Sequence, residues 1–176
     1  QYLFNTEYES IYIINVMIRN LIRLCPFLFL LILTVSCADN SNQIYTKISK
    51  KDFLDIIQDA EFAITENNFR IINRLHIGQS IRDRGTEFFP KNEVILFCNL
   101  TLAEEMLRLK PDHINYCPYK ITITEVNKNI SIGTRLLPTN TQSYEINKFS
   151  VKINEILRKI VEYTASEDLF ILDKSQ

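Results

Sequence analysis

The sequence predicts an α+β domain, an antiparallel sheet with helices packed on one face, and three features predict it. An apolar stripe at helical spacing runs through residues 145–163. Two short stretches flanking Asn127-Lys128-Asn129 alternate apolar and polar residues, as the arms of a β-hairpin do. Helical and alternating segments are mixed along the rest of the chain.

Taken in order, Ile44 to Ile48 is a short apolar alternation and reads as a strand. Ser49 then precedes Lys50-Lys51-Asp52, a capping signal with a carboxylate at the third helical place. Phe53, Ile57, Ala60 and Ile64 recur on one face, so a helix is expected over about residues 50–66. Phe69, Ile71, Leu75 and Ile77 alternate with Arg70, Arg74 and His76, which predicts a half-buried strand with one solvated face, ended by Gly78. Residues 79–91 are polar, carry Gly85 and Pro90, and read as a connection with one helical turn around Ile81. Glu93 to Cys98 is a compact apolar strand. Thr101-Leu102-Ala103-Glu104 has the form of a capping box; Met106 and Leu107 give the following helix its apolar face, and Pro111 stops it. Ile121 and Ile123, then Ile130, Ile132 and Thr134, form the hairpin. Glu145 to Tyr163 closes the domain as a helix striped by Ile146, Phe149, Ile153, Ile156, Leu157 and Ile160. Residues 44–170 are long enough to bury a core without disulfides.

Composition excludes several functions. The 176 residues carry 20 basic and 21 acidic side chains, with a pI near 6.2. No basic excess draws the chain to nucleic acid, which is not expected as a partner. With only three glycines and five prolines there is little room for a phosphate-cradling loop or a long linker. No Ser-His-Asp order, nucleotide loop or paired-carboxylate motif is present, so neither a reaction nor a cofactor is legible.

The N-terminus speaks to location. The longest apolar run, Leu24 to Val35, reaches about 18 Å as a helix, too short for a hydrocarbon core of about 30 Å. Met17, Arg19 and Arg23 precede it and Thr34-Val35-Ser36-Cys37 follows, the order of an export signal. Leu33 to Cys37 resembles a lipobox, which implies lipid attachment at Cys37 and a mature chain beginning there. Thr34 stands where that motif usually has leucine, and the residues before Met17 fit it only if translation starts at Met17. The alternative is an uncleaved anchor over residues 11–35; Arg19 and Arg23 oppose it, since a central charge costs about 2.5–3.5 kcal/mol on insertion. Either way residues 1–37 direct the chain to a membrane as partner, residues 38–43 form a tether, and the domain faces the periplasm or the cell exterior.

The segment from Val94 to Ala103, with Cys98-Asn99 at its strand-to-helix step, then Met106-Leu107 and Ile114 to Ile121 with Cys117-Pro118 before a strand, resembles the family called domain of unknown function 302. The likeness extends over about residues 44–165 and its specific part is residues 94–121. Leu100 replaces the proline that often follows the asparagine, and Cys117 replaces the leucine that often precedes the second proline. The resemblance implies a fold similar to the TATA-binding-protein-like class, without DNA binding, and lends no activity.

Cys98 and Cys117 are the candidate chemical residues. Cys98 ends a strand just before a helix, where backbone N–H groups favour a thiolate. An antiparallel continuation, which the resemblance implies, places Cys117 at the same end of the sheet; a bridge would close a loop of about 20 residues and add about 3 kcal/mol. Three readings compete: a structural disulfide or two buried thiols, a redox or sulfur-handling pair with Cys98 as nucleophile and Cys117 resolving, and a metal site completed by His76 and His113. The wide spacing gives no metal motif, so no metal is assigned. Asn99, Tyr116 and Tyr119 are candidate ligand-binding residues around the same strand ends, with capping and core packing as their structural alternatives. Arg82, Asp83, Arg84 and Lys91 form a charged loop able to meet an anion or simply to be solvated. The sequence thus supports a domain that binds a small ligand or partner, a thiol-dependent protein, or an interaction module.

Overall fold

The computed structural model describes residues 44–167. The export-signal, Cys37 and tether assignments lie outside the described residues. Five strands and four α-helices follow in the order β1 (Ile44–Ser49), α1 (Phe53–Glu66), β2 (Arg70–Leu75), α2 (Ile77–Arg82), β3 (Asn92–Cys98), α3 (Leu100–Leu109), a 3-10 helix (Pro111–Tyr116), β4 (Tyr119–Val126), β5 (Asn129–Arg135) and α4 (Tyr144–Ala165). The strands form one sheet in the order β1-β5-β4-β3-β2, every pair antiparallel.

The core follows from the two periodicities. Ile95, Phe97, Ile121, Ile123 and Ile132 point from the central strands to one face, where no solvent reaches them. Ile56 and Ile64 of α1 and Ile153, Leu157, Ile160 and Val161 of α4 meet them from above. The two helices pack on each other, α1 over β2 and β4 and α4 over β1 and β5. The fold class is as the sequence predicts.

Local differences have physical causes. Helix α1 begins at Phe53 with Asp52 at its N-cap, and Ser49 is not the cap: its hydroxyl accepts from the Lys51 N–H at 3.2 Å. The alternation expected in β2 is broken by a register shift between Ile71 and Asn73. That irregularity leaves Ile72 exposed and sets Arg74 opposite Ile95, on the helix-covered face. Gly78 does not end a strand but lies inside α2, where a Cβ would stand 2.5 Å from the Pro90 carbonyl oxygen and 2.7 Å from the Asn92 nitrogen. The cap of α3 is Asn99, two residues before the proposed Thr101 box. The hairpin turns through Asn127 and Lys128, both at positive φ (50° and 65°), the conformation that matches the twist of paired strands.

Candidate functional site

Strand β3 ends at Cys98 and the chain returns through α3 and the 3-10 helix to Cys117, one residue before the proline that precedes β4. Because β3 and β4 are antiparallel, with Phe97 opposite Tyr119, both cysteines come to the same end of the sheet. Their sulfurs are 3.2 Å apart and unbridged. Cys98 is buried and Cys117 half-buried, so Cys117 is the more accessible thiol, the reverse of the roles sequence position suggested. Burial, together with the hydrogen bond and charge of Cys98, pushes the Cys117 thiol up to about 12.

The neighbouring candidates divide. Asn99 is fully engaged in the fold: its carbonyl oxygen accepts from the Leu102 N–H at 3.1 Å and its amide donates to the Asn68 carbonyl at 2.8 Å. That is the capping role, and it leaves the side chain little to offer a ligand. Tyr119 is a core residue, edge-on to Phe69, with its hydroxyl 3.8 Å from the Met106 sulfur. Burial raises its phenol well above the ordinary value. Tyr116 is half-buried and sits between the His113 ring, at 5.3 Å, and the Arg135 guanidinium, 4.9 Å from the ring centroid. His113 is buried; desolvation and Lys110 lower its pKa, with Asp112 opposing. His76 lies far along the chain's fold from this cluster, at the start of α2 beside Glu93. Among the described residues no three His, Cys, Asp or Glu side chains are grouped to hold a metal ion.

A second cluster was missed by sequence reasoning. The Arg74 guanidinium donates to Glu61 of α1 at 2.9 Å and to Glu93 of β3 at 2.8 and 3.3 Å, and the other Glu93 oxygen lies 3.0 Å from His76 Nδ1. Burial opposes ionisation of Glu93, but Arg74 and His76 outweigh it and hold the carboxyl below its usual range. The available signal was Arg74 and His76 two apart beside a strand carrying Glu93; the break in β2 that brings them together has no sequence marker.

The fold that carries these residues has known counterparts. The profile of the family described as domain of unknown function DUF302 matches residues 45–164. A solved structure described as an uncharacterized conserved protein DUF302 from Bacillus stearothermophilus aligns with a TM-score of 0.62 at 16% identity, covering 69% of this chain and 97% of that one. That likeness establishes the fold. A search of curated proteins gave no match.

Proposed function

This chain belongs to the DUF302 family, and from that premise we propose that it is a lipid-tethered member, displayed outside the cytoplasm through Cys37, that works by binding a small ligand or partner and not by thiol catalysis. The observation that carries the reading is the contact of the two sulfurs, 3.2 Å apart with Cys98 buried and Cys117 half-buried. Burial and the neighbouring Cys98 hold the Cys117 thiol protonated at neutral pH. Thiolate is the attacking species in thiol–disulfide exchange, so Cys117 is a poor turnover nucleophile.

The same 3.2 Å contact suits a staple. An incoming disulfide in an oxidising compartment accepts attack by one thiolate and releases one of its own thiols; the second cysteine then displaces the other. Cys98 and Cys117 end as one S–S bond, having given up two electrons and two protons, and the oxidant leaves as two thiols. The bridge would tie the end of β3 to the chain just before β4. Open cavities in the helical layer, of about 290, 300 and 610 Å³, offer room for a ligand away from the sulfurs.

The test is export of the full chain in a bacterial host, followed by fractionation, differential alkylation and intact mass. The expected result is a membrane-bound protein with lipid mass on Cys37, released by Cys37→Ala, and a Cys98–Cys117 bridge resistant to mild reductant. Rapid alkylation of either thiol in the reduced, folded protein at neutral pH would restore the thiol-chemistry reading.

A further inference from the structure

The Arg74–Glu93–His76 cluster borders a cavity of about 290 Å³ between the start of α1, α2 and the start of β3. Phe53 and Leu54 give it apolar surface, and His76, Arg82, Lys91 and the paired Glu93 supply its charged and titratable lining. We propose that this cavity is a binding site for a small organic carboxylate, with the carboxylate held by Lys91 and Arg82 and the apolar body laid on Phe53 and Leu54. The inference rests on the binding reading above and gives it a place and a ligand class.

Two cations lining the cavity, Arg82 and Lys91, have no carboxylate partner among the described residues. The one acidic residue that lines the cavity, Glu93, is already paired. Glu93 is held by Arg74 and His76, Glu125 accepts from the Lys91 backbone N–H at 3.2 Å, and Asp83 accepts from the Gln79 amide at 2.6 Å. The Lys91 ammonium, by contrast, stands over the Phe53 ring at 5.5 Å, and among the described residues no carboxylate is within ion-pair distance of it. Arg82 uses one nitrogen on the Phe89 carbonyl, at 2.7 Å, and another on the Gln79 amide oxygen, at 2.8 Å. Those two bonds fix the guanidinium and leave further N–H donors of its five. The cavity therefore combines a fixed fork, a second cation and an apolar wall, the combination that selects a carboxylate over a neutral isostere.

His76 adds direction. An ionised Glu93 can only accept, so the Nδ1 of His76 carries the proton at 3.0 Å and Nε2 is the ring nitrogen left to meet a ligand. Arg74, anchored at once to Glu61 and Glu93, holds that carboxylate in place. The close seating of Gly78 on the Pro90 and Asn92 backbone fixes α2 against β3 and so sets the width of the opening.

The test is a titration of the isotope-labelled full chain, solubilised with its tether, followed by amide NMR, with benzoate as probe and benzamide as its neutral counterpart. Benzoate is expected to shift the amides of Phe53, Leu54, His76, Gln79 and Lys91 saturably, benzamide is expected to leave them unmoved, and Lys91→Gln is expected to weaken benzoate by about tenfold, as loss of one charge-assisted contact does. Lys148→Gln, at a different cavity, is expected to change nothing. Equal shifts with benzamide, or a Lys91→Gln variant that binds benzoate unchanged while folded, would overturn the carboxylate assignment. Saturable benzoate shifts confined to another cavity would overturn this site and leave the binding reading standing. No shift with either probe overturns this site, while the thiol experiment tests the binding reading independently.

Discussion

The side-chain amide of Asn154 grips the backbone of Leu137 at both ends, accepting from its N–H at 2.8 Å and donating to its carbonyl at 2.9 Å. Helix α4 thereby ties down the segment that leaves β5, with both residues buried. Asn154→Ala would bury one donor and one acceptor without partners. The expected cost is about 2–4 kcal/mol in urea unfolding, against about 0.5 kcal/mol or less for Val151→Ala, which is exposed on the same helix.

Removing one sulfur should change the titration of the other. The Cys117 thiol is pushed up first by burial and then by Cys98. In Cys98→Ser the contribution of the neighbouring thiol's charge is gone while burial remains. The pH–rate profile of alkylation at Cys117 should shift to lower pH than in the reduced parent, and an unchanged profile would show that Cys98 has no influence on it.

Gly78→Ala is expected to destabilise although alanine is the better helix former. The new methyl meets backbone atoms of Pro90 and Asn92, which cannot rotate away, so α2 must lift off β3. The expected loss is about 1–3 kcal/mol, read from the urea midpoint, whereas Gly85→Ala meets no atom and is strained only by its positive φ.

Acid should lower the stability of the domain in two windows. His113 has a lowered pKa in the fold, so below about 6.5 the unfolded chain binds the extra proton and stability falls as pH drops through that window. Glu93 also has a lowered pKa; its contribution is present above about 4.5 and is lost as pH falls beneath that value. Thermal midpoints against pH should lose the upper step in His113→Phe and flatten below about 4.5 in Glu93→Gln. Curves that keep both steps would refute the assignment.

Much of this architecture was legible because local signals agreed with the whole. The stripe of α4, from Ile146 to Ile160, needs one face only, and that face is buried. The Asn127-Lys128 turn states its own geometry through residues that tolerate positive φ. The meeting of Cys98 and Cys117 followed once strand direction was right. What escaped depended on partners distant in sequence. Arg74 looked like the solvated side of an even alternation, and only the irregularity between Ile71 and Asn73 turns it toward Glu61 and Glu93. Gly78 looked like a breaker because the backbone it touches belongs to a later strand. Likewise Tyr119, read as a candidate pocket residue, is held among Phe69 and Phe97, which its own segment does not announce.

The sheet order has a kinetic consequence. Strand β1 is made first, yet its partner is β5, the last strand, with Ile44 opposite Arg135. A growing or translocating chain must therefore hold β1 unpaired until nearly the whole domain has emerged, and the β3–β4–β5 meander can assemble before it. During that interval the backbone edge of β1 that later pairs with β5 is open to other chains, beside Ile44 and Ile48, which stay exposed even in the finished sheet. Folding should thus be gated by a single late, long-range pairing, and a chain stopped before β5 should be the form that aggregates.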